Sequence, residues 1–424
     1  MSQTEERTVG SWSDARRAAP HDSVREPPHD FARADSPNSV RSVTSDAARR
    51  TARDGASESA RKPLRVLVVA PSHDILGGQS IHAAQLVSEL NKEESFEVGF
   101  VPINPRAPGV LGRLQRVKYL RTCVRFPLYV WKLLANVPRC DVLHVSSAAL
   151  SSFLVTTTPA VLVGRLFRRK VVLNYHAGQA EEHLRDWRRT ALPVIRMADA
   201  TVVSSGWLVD VFARYGLPAR AIFNHVELDE FRFRQRRPLR PVFLSNRNFD
   251  PIYNVPCVLR AFAIIQKRFP EARLVVAGDG PQRGEIETLA RELNLRGVEF
   301  KGRVAPGEMP ALCDAADIYL NASNVDNMPL SILEAFASGL PVVTTNAGGI
   351  PYVVEHERTG LVVEMNDCAS LASGALRLLG DEEFASRLAR SARAECDKYK
   401  WAAVRGQWVE FYNEVAGREA AASD

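Results

Sequence analysis

Residues 321–351 read NASNVDNMPLSILEAFASGLPVVTTNAGGIP, and the fold is decided there. A loop carries Asp326. A short helix is expected next, with Pro329 at its first position, where a missing N–H costs nothing. Eight residues after Asp326 that helix presents Glu334. An apolar run, Leu340 to Val343, then leads into the glycine loop Ala347-Gly348-Gly349-Ile350-Pro351. The first N–H groups of a helix have no partner within it, so a helix start aimed out of a sheet binds anions. A carboxylate about one turn further in accepts hydrogen bonds from sugar hydroxyls. Phosphate donors and hydroxyl acceptors, the two needs of a sugar nucleotide, meet in one element.

By itself, Asp-x7-Glu also describes a solvated helix edge, so the rest of the chain decides. The stretch resembles the signature of the retaining glycosyltransferases of family 4, whose fold is GT-B. Their pattern is Glu, seven residues, Glu, then Ala-x-Gly-x-Pro-Val-Val. Here Asp326 and Glu334 are followed by Ala337-Ser338-Gly339-Leu340-Pro341-Val342-Val343. The first carboxylate is one methylene shorter, and Asn327 replaces the usual glycine after it.

The chain has 424 residues, enough for two domains and more. Its 46% hydrophobic and 25% charged content is that of an ordinary globular protein. A net charge of +6 is too dilute for a dedicated nucleic-acid binder, so no nucleic acid is expected. The six cysteines are scattered, with no Cys-x-x-Cys and no cysteine–histidine spacing that suits zinc. They read as reduced thiols of a cytoplasmic protein. No apolar segment near the start suggests a signal peptide. Ala148 to Phe167, the most apolar stretch, is broken by Pro159 and Arg165 and reads as a buried core helix, not a membrane span.

Residues 1–62 hold no Leu and no Ile, and the only aromatics are Trp12 and Phe31. Such a segment buries too little apolar surface to offset its ordering entropy, so a disordered tail is expected. Order begins with Leu64 to Ala70, a continuous apolar run of the kind that forms a parallel strand covered on both faces. It leads to Gly77-Gly78 and a helix with Ala83, Leu86, Val87 and Leu90 on one face. Strand, glycine turn and helix begin a Rossmann-like unit, in which bare glycine backbone approaches a diphosphate. In the family, two glycines here face the donor phosphates.

Between Val101 and Asp141 there is no acidic residue. Arg106, Arg113, Arg116, Lys118, Arg121, Arg125, Lys132 and Arg139 surround a stripe of Leu114, Val117, Leu120 and Val124, with Phe126, Tyr129 and Trp131 beside Pro127. Residues 106–132 thus fit an anionic bilayer surface, or else a helix packed on the sheet with a solvated basic rim. His176 ends the strand Lys170–Asn174, where parallel sheets bind ligands. It matches the histidine that the family places beside the donor sugar. His144 matches no such role and reads as structural. A basic, proline-containing linker, 232–241, is a plausible hinge.

In the second half, Arg247 follows the strand Val242–Ser245 and matches the family's phosphate-binding arginine. The lysine expected five or six residues later is absent; Ile252 and Tyr253 stand there, leaving Lys301 or Arg303 to help. Gly278, after the strand Leu274–Ala277, and Val298 to Val304 resemble donor-side segments, the latter holding the base through its backbone. Tyr352 replaces a usual glutamate.

The resemblance spans about residues 64–415. It implies an α/β protein of two Rossmann-like domains facing a cleft: residues 63–236 for the acceptor, joined by a returning helix at 400–418, and 237–399 for the nucleotide sugar. It further implies sugar transfer, with retention, from a nucleoside-diphosphate sugar to a glycan or lipid-linked acceptor. The implied donor-binding groups are Gly77, Gly78, Arg247, Gly278, Arg303, Val304, Leu330, Ser331 and Glu334. His176 and Asp326 would act on the donor sugar. No metal or cofactor is expected. A cytoplasmic enzyme, peripheral on the inner membrane face, follows. Two other readings stay open: a sugar-nucleotide-binding subunit without catalysis, and a GT-B epimerase or phosphorylase.

Overall fold

Leu64–Ala70 forms β1, and only Arg65 in it is exposed. It lies between β2 (Phe96–Pro102) and β3 (Val142–Ser147), hydrogen-bonded in parallel to both, and its faces are covered by two separate cores, Leu67 and Val69 in one and Leu64, Val66, Val68 and Ala70 in the other. With β4 (Lys170–Tyr175), β5 (Ala200–Val203) and β6 (Arg220–Ala221) these make a six-stranded sheet in the order β2-β1-β3-β4-β5-β6. The second sheet contains β7 (Val242–Ser245), β8 (Arg273–Ala277), β9 (Val298–Gly302), β10 (Ile318–Leu320), β11 (Val342–Thr345) and β12 (Leu361–Val363). Its order is β12-β11-β10-β7-β8-β9. Every pairing in both sheets is parallel. The protein is therefore α/β, with two Rossmann-like domains. The computed structural model describes residues 62–72, 78–106 and 120–418, all within one unit, Arg61–Asp424. The tail expected at 1–62 lies outside them but for Lys62, as do Gly77 and the basic residues Arg113, Arg116 and Lys118.

These strand orders fix where ligands bind. In the first sheet the chain reverses between β1 and β3; in the second, between β7 and β10. The carboxyl ends of strands at such a reversal leave a crevice. Arg247 follows β7, and Asp326 follows β10.

The helix Trp401–Ala416 returns to the first sheet. Val404, Trp408, Phe411 and Tyr412 pack among Val66, Val68, Val142 and Val172. Tyr412 Oη lies 2.8 Å from His144 Nδ1, and Asn174 Nδ2 lies 3.1 Å from His144 Nε2. His144 is a satisfied core residue.

Two expectations change. The Ala148–Phe167 stretch is helical, with a π-helical turn at Phe153–Thr157 before the helix Thr158–Leu166. Phe153, Ala160 and Val161 are buried, but Leu154, Val155, Leu162 and Leu166 are exposed, so it is half-buried. The sheet covers one of its faces only. The 232–241 linker, read as a hinge, is strapped to the second domain. Arg240 and Arg234 reach the buried Asp317 carboxylate at 2.8 and 3.1 Å. Arg236 donates to the carbonyls of Cys313, Ala316 and Ser338. A segment held by buried charged hydrogen bonds does not flex freely.

Candidate active site

A cleft of about 460 Å³ opens where the carboxyl ends of the two sheets meet. His176, Val304, Leu330 and Ser331 line it, together with Arg247, Asp326 and Glu334. Gln79 and Ile81, just after Gly78 at the start of the helix Gly78–Leu90, line the first domain's side.

Arg247 is the centre of the site. Its Nη2 donates to Asp326 Oδ2 at 2.6 Å and its Nη1 to Ser331 Oγ at 3.1 Å. The guanidinium carbon stands 4.0 Å from the centre of the Tyr253 ring. Tyr253 thus occupies the place expected of a second cation with a π face that holds the first. Burial is the largest single influence and opposes charge on Arg247, but Asp326, Tyr253, Tyr319 and Glu334 together raise its pKa. Burial likewise pushes Asp326 up while Arg247 pulls it down. A guanidinium does not give up its proton at neutral pH, and its 2.6 Å hydrogen bond to Asp326 Oδ2 has the length of a charge-assisted pair.

The helix Leu330–Ala337 starts beside this pair. Pro329 has φ −70° and ψ 111° and is the cap before the helix, not its first residue as expected. The expectation judged Pro329 by its missing N–H, but its extended ψ sets it outside the turn. Glu334, one turn in, accepts from Asn246 Nδ2 at 3.2 Å. Burial raises Glu334 to about 7, against the opposing pull of Asn246 and Arg247. His176 is lowered to about 4 by burial and is neutral at physiological pH. Its ring packs edge-on against His82, centroids 5.0 Å apart.

Three expected donor groups stand elsewhere. Gly278 lies behind the cleft; a Cβ there would come within 2.2 Å of the Arg247 carbonyl oxygen, so its bareness shapes the turn that carries Arg247. Arg303 is exposed and pairs with Asp279 at 3.3 Å, and Lys301 pairs with Glu299 at 2.6 Å. Neither base is among the residues that line the cleft. Sequence reasoning marked Asn327, Tyr253 and Tyr352 as odd residues without assigning them a contact. Asn327 is buried and hydrogen-bonds across the cleft to Ser204, Ser205 and the His176 carbonyl. Asn246, which holds Glu334, was missed; its place directly before Arg247 was the available signal.

Two Rossmann-like domains with Arg247, Asp326 and Glu334 lining the cleft between them are the architecture of the GT-B class of folds. Residues 228–395 match the model of the family described as Glycosyl transferases group 1. The chain is 26% identical over 286 residues to the sulfoquinovosyl transferase SQD2 of Arabidopsis thaliana, covering 62% of this chain and 54% of that protein. It is 29% identical over 187 residues to the GDP-mannose-dependent alpha-(1-6)-phosphatidylinositol monomannoside mannosyltransferase of Mycobacterium tuberculosis, covering 42% and 47%. It spans about half the length of these curated relatives. The structure of HepE from Anabaena in complex with UDP-glucose superposes with a TM-score of 0.65 at 19% identity, over 83% of this chain and all of that one. That likeness establishes the GT-B fold.

Proposed function

We propose that the protein transfers a glycosyl group from a nucleoside-diphosphate sugar to an acceptor hydroxyl, with retention at the anomeric carbon. The observation that carries this is the convergence of Arg247, the start of the Leu330–Ala337 helix and Glu334 on one cleft, in a segment that matches the group 1 glycosyltransferases. The bond from the anomeric carbon to the diphosphate breaks. A bond to the acceptor oxygen forms on the same face, and the acceptor proton leaves with the diphosphate. Charge that develops on that leaving group is met by Arg247 and by the N–H groups of Leu330 and Ser331. Glu334 accepts from the ribose hydroxyls. Asp326 faces the donor sugar, and neutral His176 positions it from the first domain. The reading assigns neutralisation to these groups without a metal. The HepE complex and the GDP-mannose-dependent relative support a nucleotide-sugar donor.

The test is a panel of UDP- and GDP-sugars, read by calorimetry and by NMR of the product anomer. Binding of one donor and a product of unchanged anomeric configuration is expected. An inverted product, or no donor bound at millimolar concentration, overturns the reading. One observation favours a second reading, binding without transfer: Asp326 already neutralises Arg247. Donor hydrolysis in the absence of acceptor separates the two, since a mere binder releases no sugar.

We further propose a lipid-linked acceptor met at an anionic membrane surface. In the helix Leu120–Asn136, Leu133 is buried and Tyr129 donates to the Thr156 carbonyl at 2.7 Å. Phe126, Trp131 and Leu134 of the same helix are exposed, as are Leu154, Val155, Leu162 and Leu166 of the neighbouring helical stretch. From residue 98 to 180 the single carboxylate is Asp141, and Arg65 holds it at 2.7 Å. Exposed apolar side chains beside Arg121, Arg125 and Lys132 suit anionic headgroups. Among the described residues no helix is long and apolar enough to cross a membrane. Flotation with phosphatidylglycerol vesicles is expected to carry the protein, and Trp131→Ser with Lys132→Glu to reduce this several-fold. No flotation of the unaltered protein contradicts the surface.

A further inference from the structure

The two candidates for the reacting centre come from opposite domains. His176 follows β4 of the first, and Asp326 follows β10 of the second. One side chain touches the surroundings of both. Asn327 is 4% exposed, and its amide is fully engaged by the first domain. Its Nδ2 donates to Ser204 Oγ at 2.8 Å and to the His176 carbonyl at 3.3 Å. Its Oδ1 accepts from Ser205 Oγ. On its own side, the Asn327 N–H donates to Asp326 Oδ1 at 3.0 Å.

Both partners of this contact are stiff. Asn324 N–H and Val325 N–H donate to the Ile252 carbonyl at 2.7 and 3.2 Å, and Gly349 N–H donates to the Asp326 carbonyl at 3.1 Å. Opposite, Ser205 caps the helix Gly206–Arg214, accepting from Leu208 N–H at 3.2 Å. The backbones approach so closely that a Cβ on Gly178 would lie 3.1 Å from the Asp326 carbonyl carbon. A second tie lies at the rim, where Tyr352 Oη donates to Asp210 Oδ2 at 2.5 Å.

We infer that Asn327 is a positioning residue: its amide registers His176 against Asp326 across the cleft and holds the domains in the arrangement that transfers sugar, with Tyr352–Asp210 as the outer tie. A buried amide whose hydrogen bonds all cross between domains costs desolvation in any other arrangement. The contact selects one relative placement of the domains because slight rotation breaks three bonds together. The effect on rate rests on the proposed transfer; the effect on domain placement does not.

The experiment therefore has two arms. Cys123, exposed, and Cys368, half-buried, are the free cysteines that are not buried, one in each domain, and spin labels are placed on both. Asn327→Ala is expected to broaden the distance distribution between them, Ser204→Ala to broaden it less, and Tyr352→Phe least. Ser204→Ala leaves the 324–327 loop untouched, so it reads the contact even where Asn327→Ala folds poorly. Distributions identical to the unaltered protein in both Asn327→Ala and Ser204→Ala overturn the inference, whatever reaction the protein performs. In the second arm, Asn327→Ala lowers kcat about 10- to 100-fold through misplacement of the reacting groups. Nucleotide affinity stays within about threefold, because Arg247 and Glu334 sit wholly on the second domain. Asn327→Ala and Ser204→Ala combined cost less than the sum of the two, as expected of one shared contact. An unchanged kcat in Asn327→Ala refutes the positioning role, and so does a loss confined to nucleotide affinity.

Discussion

Replacing Arg247 by alanine is expected to cut turnover by more than tenfold and to destabilise the fold by about 3–5 kcal/mol. The two losses have separate causes. Turnover falls because the cleft loses its cation, the group that meets charge on the departing diphosphate. Stability falls because Asp326 is left as a buried carboxylate with no counter-charge. Its direct polar contacts would shrink to the Asn327 N–H at 3.0 Å and the Ser323 hydroxyl. Asp326 then binds a proton in the folded state at a pH above its unfolded pKa. The contribution of Asp326 to the variant's stability is therefore most favourable below its unfolded pKa and is lost as the pH rises through the folded value. Adding Asp326→Asn removes the orphan charge and restores most of the stability. It does not restore turnover. Urea melts at several pH values and donor kinetics check both halves. A single variant as stable as the unaltered protein at pH 8 contradicts the buried ion pair.

Glu334→Gln gives the second large effect, with opposite signs on stability and function. In the fold Glu334 titrates near 7, because burial disfavours its charged form; its unfolded value is 4.5. Between these values the folded state holds a proton that the unfolded state has lost. Protonated Glu334 therefore favours the fold below 4.5, and that advantage is lost as the pH rises through about 7. Above pH 8 the ionised side chain costs about 3 kcal/mol. Glutamine carries no such cost, so the variant is expected to gain about that much at pH 8 and nothing at pH 4. Its turnover is expected to drop by more than tenfold, since the ribose hydroxyls lose a charged acceptor. Nucleotide affinity in the unaltered protein should rise as the pH passes upward through 7, and the variant should lose that step. Thermal melts against pH, paired with calorimetry, check this. A variant destabilised at pH 8 contradicts the assignment.

Much of the fold was legible because parallel strands buried on both faces announce themselves as apolar runs. Leu64–Ala70 and Lys170–Asn174 are read this way, and the position of Arg247 after a strand end follows. What stayed hidden depends on a second surface. An apolar stripe shows which face of the Thr158–Leu166 helix avoids water, but not that Leu162 and Leu166 remain uncovered. A basic linker looks mobile until Asp317 is found beneath it. The absence of a second phosphate-binding cation after Arg247 was visible in the residues; that the Tyr253 ring lies on the guanidinium was not. Asn327 drew notice only as a replaced glycine. Its bonds to Ser204 and Ser205 span more than a hundred residues of chain and exist only once the domains meet.

The account stands on one arrangement: a diphosphate held between Arg247 and the start of the Leu330–Ala337 helix. A crystal structure with a bound nucleoside diphosphate tests it directly. The account predicts phosphate oxygens within hydrogen-bond distance of the Arg247 guanidinium and the Leu330 or Ser331 N–H, and ribose hydroxyls on Glu334. A nucleotide seated away from these groups, with Arg247 still closed on Asp326 alone, would contradict it.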